Sequence, residues 1–136
     1  MSRIDHIGIA VRSLADAVPL YARLLGQNPR GVETVPAERV RVAFFDMGDS
    51  AVELLEATDP ESEIARFVEG RGPGIHHVCL AVPDVRAALE RAEAEGARPV
   101  PPGVRTGAGG REVAFLHPAS TGGVLIELVE QTASES

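Results

Sequence analysis

The chain repeats itself, and this constrains its fold more than any other feature. Residues 4–17, IDHIGIAVRSLADA, align with residues 75–88, IHHVCLAVPDVRAA, at an offset of 71. Ile4 matches Ile75, His6 matches His77, Ala10 matches Ala81, Val11 matches Val82 and Ala17 matches Ala88. A second block, VELLE at 52–56, aligns with IELVE at 126–130 at an offset of 74. It pairs Glu53 with Glu127, Leu54 with Leu128 and Glu56 with Glu130. Phe44 and Phe115 also correspond. The change of offset implies a loop that is three residues longer in the second copy. A duplicated unit of about 70 residues, present twice, is too long and too few in copies for a solenoid. Two similar halves packed about a pseudo-twofold axis are expected. The 136 residues suffice for one domain or for two half-domains sharing a core.

Each half reads as strand, helix, then strands. Segment 4–11 is apolar and rich in β-branched residues, which predicts a strand. The following SLADAVPLYARLLG is helical in pattern but contains Pro19. Starting the helix at Asp16 as N-cap puts Pro19 in the first turn, where its missing N–H is no loss; Gly26 then ends it. The second half offers Asp84 as N-cap, VRAALERAEAE as helix and Gly96 as stop. Residues 40–47 and 50–56 read as two strands around the turn Met47-Gly48-Asp49-Ser50, repeated by 112–117 and 123–130 around HPASTGG. A short extra helix is expected after the first half, with Asp59 as cap, Pro60 at its first position and Gly70 as terminator. The fold class is α+β, with each half βαββ or βαβββ. Module one covers about 4–69, GRGPG at 70–74 is the linker, module two covers about 75–130, and the polar tail 131–136 is expected to fray.

Charge and composition exclude several classes. The 13 basic residues are all arginine and face 20 acidic ones, for a net charge of -7. That balance opposes nucleic-acid binding. Without lysine there is neither a side-chain Schiff base nor a P-loop lysine. One cysteine, Cys79, excludes an intramolecular disulfide and a Cys-rich zinc site, and suits a reducing, cytoplasmic setting. The N-terminal MSRIDHIGIAV reads as neither a signal peptide nor a membrane span.

The duplication also repeats chemistry. His6 and His77 lie on the first strand of each half, Glu53 and Glu127 on the last. A twofold axis would bring two imidazoles and two carboxylates to one point. That donor set suits a divalent transition metal, and two carboxylates neutralise its charge. Four side chains around an octahedral ion leave two positions for a substrate with vicinal oxygens. A repeated core retains apolar residues for packing but has no packing reason to retain His and Glu together. His76 points to the opposite face from His77 and reads either as a pocket residue or as structural. His117 is open in the same way. Cys79 reads as small core filling. Glu56 and Glu130 fall on the opposite face from Glu53 and Glu127 and read as solvated edge positions. The glycine-rich PPGVRTGAGGRE at 101–112 reads as a weak phosphate-loop signal or as a surface loop. An anionic ligand would need local arginines; Arg39, Arg41, Arg105 and Arg111 are the candidates.

Four runs, IDHIGIAV, VELLE, GIHHV and FLHPASTGGVLIEL, resemble the methylmalonyl-CoA epimerases, a family within the vicinal oxygen chelate superfamily. The resemblance covers residue 4 to about residue 130. The His–Glu–His–Glu set is shared with metal-dependent glyoxalase I; His76-His77 and FLHPASTGGVLIELVE are closer to the epimerases. The resemblance implies two tandem βαβββ modules related by a pseudo-twofold axis and forming a cupped mixed sheet around a metal site, a homodimer and an acyl-CoA substrate, with no membrane or nucleic-acid partner. It implies a divalent ion held by His6, Glu53, His77 and Glu127: cobalt, with nickel, manganese, zinc or iron as alternatives. It also implies interconversion of (2R)- and (2S)-methylmalonyl-CoA. Glu127 corresponds to the family's base.

Some members carry Gln at the place of Glu53 and a further acid on the strand around residues 38–45. Here Val42 stands at the acid's place, so Glu53 is expected to be ligand and second base, with Glu38 a remoter candidate. The competing readings are glyoxalase I, a drug-sequestering binding protein and an extradiol dioxygenase. The first differs in substrate. The binding proteins lack the full ligand set, and the dioxygenase does not need Glu53.

Overall fold

A computed structural model describes residues 2–132; the last four residues of the tail expected to fray lie outside the described residues. The chain divides into two compact units, one made of residues 6–76 and the other of residues 2–5 with 77–132. The boundary cuts β1 (Arg3–Ala10) between Asp5 and His6, and β5 (Gly74–Val82) between His76 and His77.

In the unit of residues 6–76, β1 is followed by α1 (Leu14–Leu25), β2 (Gly31–Val35), β3 (Val40–Met47), β4 (Ser50–Ala57) and α2 (Glu63–Arg71). Its strands pair in the order β2-β3-β4-β1, antiparallel except for the parallel β4–β1 pair. In the other unit, β5 is followed by α3 (Val85–Ala94), β6 (Arg105–Thr106), β7 (Glu112–Leu116) and β8 (Ile126–Glu130). There the order is β5-β8-β7-β6, parallel only between β5 and β8. Both modules are thus βαβββ, as the duplication predicts. A parallel pair needs a crossover, and the helix after each first strand begins it.

The helices pack by simple periodicity. Leu14, Ala17, Val18, Tyr21, Ala22 and Leu25 form the inner stripe of α1. They lie on Ile9 of β1, on Val11 just past its end, and on Ala43, Phe45, Val52 and Leu54, which alternate along β3 and β4. Val85, Ala88, Leu89 and Ala92 of α3 cover Val82, Ala114, Leu116 and Leu128 in the same way. In each module one sheet face is therefore spent on a helix, and the other carries the polar residues of interest.

Two helix starts differ from expectation. The N-cap of α1 is Ser13, whose Oγ accepts from the N–H of Asp16. Ser13 and Asp16 form the S-x-x-D pattern of a capping box, a local signal that outranks Asp16 as cap. Pro19 consequently sits in the second turn. It removes the N–H that would reach the carbonyl of Ala15, and both residues face solvent, so water can take that carbonyl. The cap of α2 is Ser62, 1 % exposed, whose Oγ accepts from Ile64 N–H; Asp59 and Pro60 belong to the preceding turn. α2 also runs through Gly70 to end at Gly72. Asp84 caps α3 as expected, and Gly26 ends α1 in the left-handed region at φ 67°.

Glu56 and Glu130 are not solvated edge residues. Both are half-buried. Glu56 Oε1 accepts from the first N–H of α1, on Leu14, at 2.6 Å. Glu130 Oε1 accepts from the first N–H of α3, on Val85, at 3.0 Å. An anion at a helix N-terminus satisfies an orphan donor and meets the positive end of the helix dipole. Replacing either Glu56 or Glu130 by Ala is expected to lower stability by about 1 kcal/mol. Urea unfolding of each variant checks this, and equal losses are expected because the two contacts are equivalent.

Candidate metal centre

In residues 6–76, strand register places His6, Glu53 and Phe44 on the sheet face away from α1. Glu53 pairs with Gly8, two residues past His6, and with Phe44 on its other side. In the other unit, Glu127 pairs with Cys79, two residues past His77, and with Phe115 on its other side. The duplicated sequence therefore reproduces one register twice, with His, Glu and Phe at the same three positions.

Each His touches its own Glu. His6 Nδ1 lies 3.1 Å from Glu53 Oε2, and His77 Nε2 lies 3.0 Å from Glu127 Oε1. All four residues are buried, at 6 to 8 % exposure. Burying a carboxylate is costly unless something neutralises it. The separations also suit coordination. Two donors each about 2.1 Å from one ion and at right angles to one another are about 3 Å apart. Each pair therefore has the donor types and the spacing to give a divalent ion two neighbouring ligands. The Phe115 ring stands edge-on to His77, with centroids 5.9 Å apart, and helps fix that imidazole.

The remaining sequence candidates separate clearly. His117 accepts the N–H of Ala119 at Nδ1 and caps a short 3₁₀ turn at Pro118–Ser120; its role is structural. His76 packs edge-on against Phe67 of α2, centroids 5.0 Å apart. Cys79 is fully buried with Ala81, Val113 and Val129, as core filling requires. Arg111 Nη2 donates to both carboxylate oxygens of Asp5, at 3.2 and 3.1 Å, and Nη1 donates to the carbonyl of Glu130. Arg39 reaches towards Asp59 and is exposed, as is Arg41. Arg105 lies on the face of His77 and Glu127: it pairs with Val113, which precedes Phe115 by two. The glycine-rich stretch is a tight turn closed by Gly107 N–H to the Arg111 carbonyl. A Cβ on Gly107 would come within 2.9 Å of Val113, so its glycine serves close packing of the turn.

One acid on the face of His6 and Glu53 had no sequence signal. Glu33 of β2 is half-buried and pairs with Val42 of β3. Only the β2–β3 register reveals it, because β2 is five residues long and was not resolved by pattern. Glu38 lies instead on the 3₁₀ turn at Pro36–Glu38 between β2 and β3.

The sequence profile of the Glyoxalase/Bleomycin resistance protein/Dioxygenase superfamily matches residues 5–115. The chain belongs to this superfamily. It is 37% identical over 131 residues to the ethylmalonyl-CoA/methylmalonyl-CoA epimerase of Cereibacter sphaeroides, covering 94% of this chain and 97% of that one. It is 35% identical over 129 residues to the mitochondrial methylmalonyl-CoA epimerase of Homo sapiens, covering 94% of this chain and 73% of the human one. Among solved structures, a variant of Streptomyces coelicolor methylmalonyl-CoA epimerase in complex with 2-nitronate-propionyl-CoA superimposes with a TM-score of 0.90. It shares 35% identity and covers 98% of this chain and 97% of its own. The α+β fold of tandem βαβββ modules is thus the fold of the epimerase structures.

Asp5 precedes the proposed ligand His6 and is 7 % exposed, so its bond to Arg111 neutralises a buried charge. Arg111→Ala is expected to cost about 1–3 kcal/mol, less than a fully buried pair because the guanidinium is partly solvated. Urea unfolding checks this; Arg111→Lys should recover only part, since one ammonium replaces the two nitrogens that serve Asp5 and the Glu130 carbonyl.

Proposed function

We propose that this chain is a methylmalonyl-CoA epimerase, in which the two modules act as one vicinal-oxygen-chelate domain. The observation that carries the reading is the pair of buried His–Glu contacts in one repeated register, in a chain with epimerase relatives along nearly its whole length. In this reading His6, Glu53, His77 and Glu127 hold one divalent ion, cobalt by preference and otherwise nickel, manganese, zinc or iron. When bound, that ion would supply Lewis-acid stabilisation for charge developing on the substrate's thioester oxygen.

The protein's own task is proton transfer. The C2 proton lies between a thioester and a carboxylate, and its removal leaves an electron pair delocalised into the thioester. Epimerisation requires removal on one face and return on the other. Glu127 takes the proton from C2, and Glu53 delivers one from the opposite side; in the reverse direction the roles exchange. One carboxylate must begin ionised and the other protonated. Glu33 is the alternative second acid, favoured by its place opposite Val42. The protein works as a cytoplasmic homodimer in this proposal. Among the described residues no helix is long and apolar enough to cross a membrane.

The test is hydrogen exchange. Metal-loaded protein with methylmalonyl-CoA in D2O should place deuterium at C2, and a chelator should stop it. Glu127→Gln is expected to reduce epimerisation by at least about 100-fold, the scale of a lost acid–base group. Glu53→Gln should lower metal retention and epimerisation together. If Glu33→Gln abolishes epimerisation while Glu53→Gln does not, the second role passes to Glu33. Absence of exchange in the wild type, with isomerisation of the glutathione–methylglyoxal adduct instead, would identify a glyoxalase I.

A further inference from the structure

We propose that Phe44 and Phe115 are positioning residues, each a wall for the proton-transferring glutamate beside it and each pinned by a guanidinium; this rests on the epimerase reading above. Register sets ring and acid side by side in both modules. Phe44 pairs with Glu53 across β3 and β4, and Phe115 pairs with Glu127 across β7 and β8. Side chains directly opposite one another on a ladder are neighbours, with Cβ atoms about 5 Å apart. The rings are themselves held. The guanidinium carbon of Arg30 lies 4.7 Å from the centre of the Phe44 ring, and that of Arg105 lies 4.9 Å from the centre of the Phe115 ring. The Phe115 ring also meets the His77 imidazole in a T-shaped contact. A guanidinium over an aromatic face is attracted by the ring quadrupole and forms a planar cover that restricts the ring.

The two covers do not descend from one duplicated position. Arg30 lies just ahead of β2, and its backbone N–H donates to the Phe44 carbonyl at 2.7 Å. In the second module Val100 makes that backbone bond, to the Phe115 carbonyl. Arg105 lies on β6 and pairs with Val113, the place that Glu33 takes opposite Val42 in the first module. A guanidinium thus reaches the ring from a different place in each copy, which inheritance of a single arginine does not explain. Arg30 is held in turn by Asp46, its Nε donating to both carboxylate oxygens at 3.0 and 3.1 Å. The chemistry calls for such a wall. A base that takes a proton from C2 must keep its oxygen in line with that C–H bond, and a misplacement of about 1 Å can cost about 100-fold in rate. Glutamate carries its carboxylate on a flexible stem. A rigid ring alongside restricts the stem without occupying either oxygen.

Phe44→Leu, Phe115→Leu, Arg30→Met and Arg105→Met test this at saturating metal. The leucines keep an apolar side chain without the ring, and the methionines keep the stem without the cation. Each variant receives the (2R) and the (2S) epimer of methylmalonyl-CoA separately in D2O, and deuterium entry at C2 is followed together with inversion. Each glutamate removes the proton from one epimer, so a misplaced base slows exchange of its own epimer. Phe115→Leu and Arg105→Met should slow exchange from one epimer by about 10-fold and leave the other within about twofold. Phe44→Leu and Arg30→Met should do the same for the opposite epimer. KM should stay within about twofold of wild type, since ground-state binding is untouched. The Arg105→Met/Phe115→Leu double variant should be no slower than Phe115→Leu, because the cation acts through the ring. Equal slowing of both epimers would overturn the proposal, and so would unchanged exchange in folded variants. Raised KM with unchanged kcat would also overturn it by making these side chains substrate contacts. Multiplying effects in the double variant would overturn the role of Arg105. Selective slowing by the second-module variants alone would overturn the assignment for Phe44 and Arg30. A wild type without C2 exchange would instead remove the epimerase reading, and this assignment with it.

Discussion

An imidazole and a carboxylate buried side by side, once in each module, are the constraint to which the rest of the structure answers. Placing Glu53 and Glu127 out of water is unfavourable in itself, and a packed apolar residue would serve a small β-sheet better. The chain nevertheless makes the same choice twice, at the same register, with an aromatic side chain beside each acid. That cost is intelligible under the proposed function, in which the site holds a cation and moves protons. The low-dielectric surroundings strengthen whatever charge the site later accepts.

The rest of each module supports this arrangement through the last strand. On β4 and β8 two glutamates stand three residues apart, and alternation sends them to opposite faces. The first meets the histidine. The second crosses to the helix side and accepts the first N–H of α1 or α3. One strand thus ties the functional face to the start of the crossover helix, so that the helix entry and the ligand strand are fixed in one register. The repeat of Glu56 and Glu130 looks like surface decoration in the sequence because its partner is a backbone N–H more than forty residues earlier in the chain.

Arginines show the same division between local and non-local information. Arg39, Arg41, Arg105 and Arg111 are alike as members of a sequence, each near a strand. Arg111 is absorbed by Asp5, more than a hundred residues away. Arg105 joins the face of His77 through the two-residue strand β6, too short to leave a periodic pattern. Glu33 is hidden for a similar reason, on a five-residue strand whose partner across the ladder is Val42.

What the sequence determined by itself was the duplication, the α+β module order and the His–Glu pairs. These are written in repeats and in hydrophobic periodicity, which survive without knowledge of any distant contact. Helix ends were legible only where one cap signal stood alone, as at Asp84. Where Ser13 and Asp16, or Asp59 and Ser62, competed, the choice fell to packing. The tertiary structure alone decided which acids and arginines share a face and which carboxylates serve helices. Those are questions of strand register and of partners far apart in the chain. A shift of one residue in register would send every one of these side chains to the opposite face.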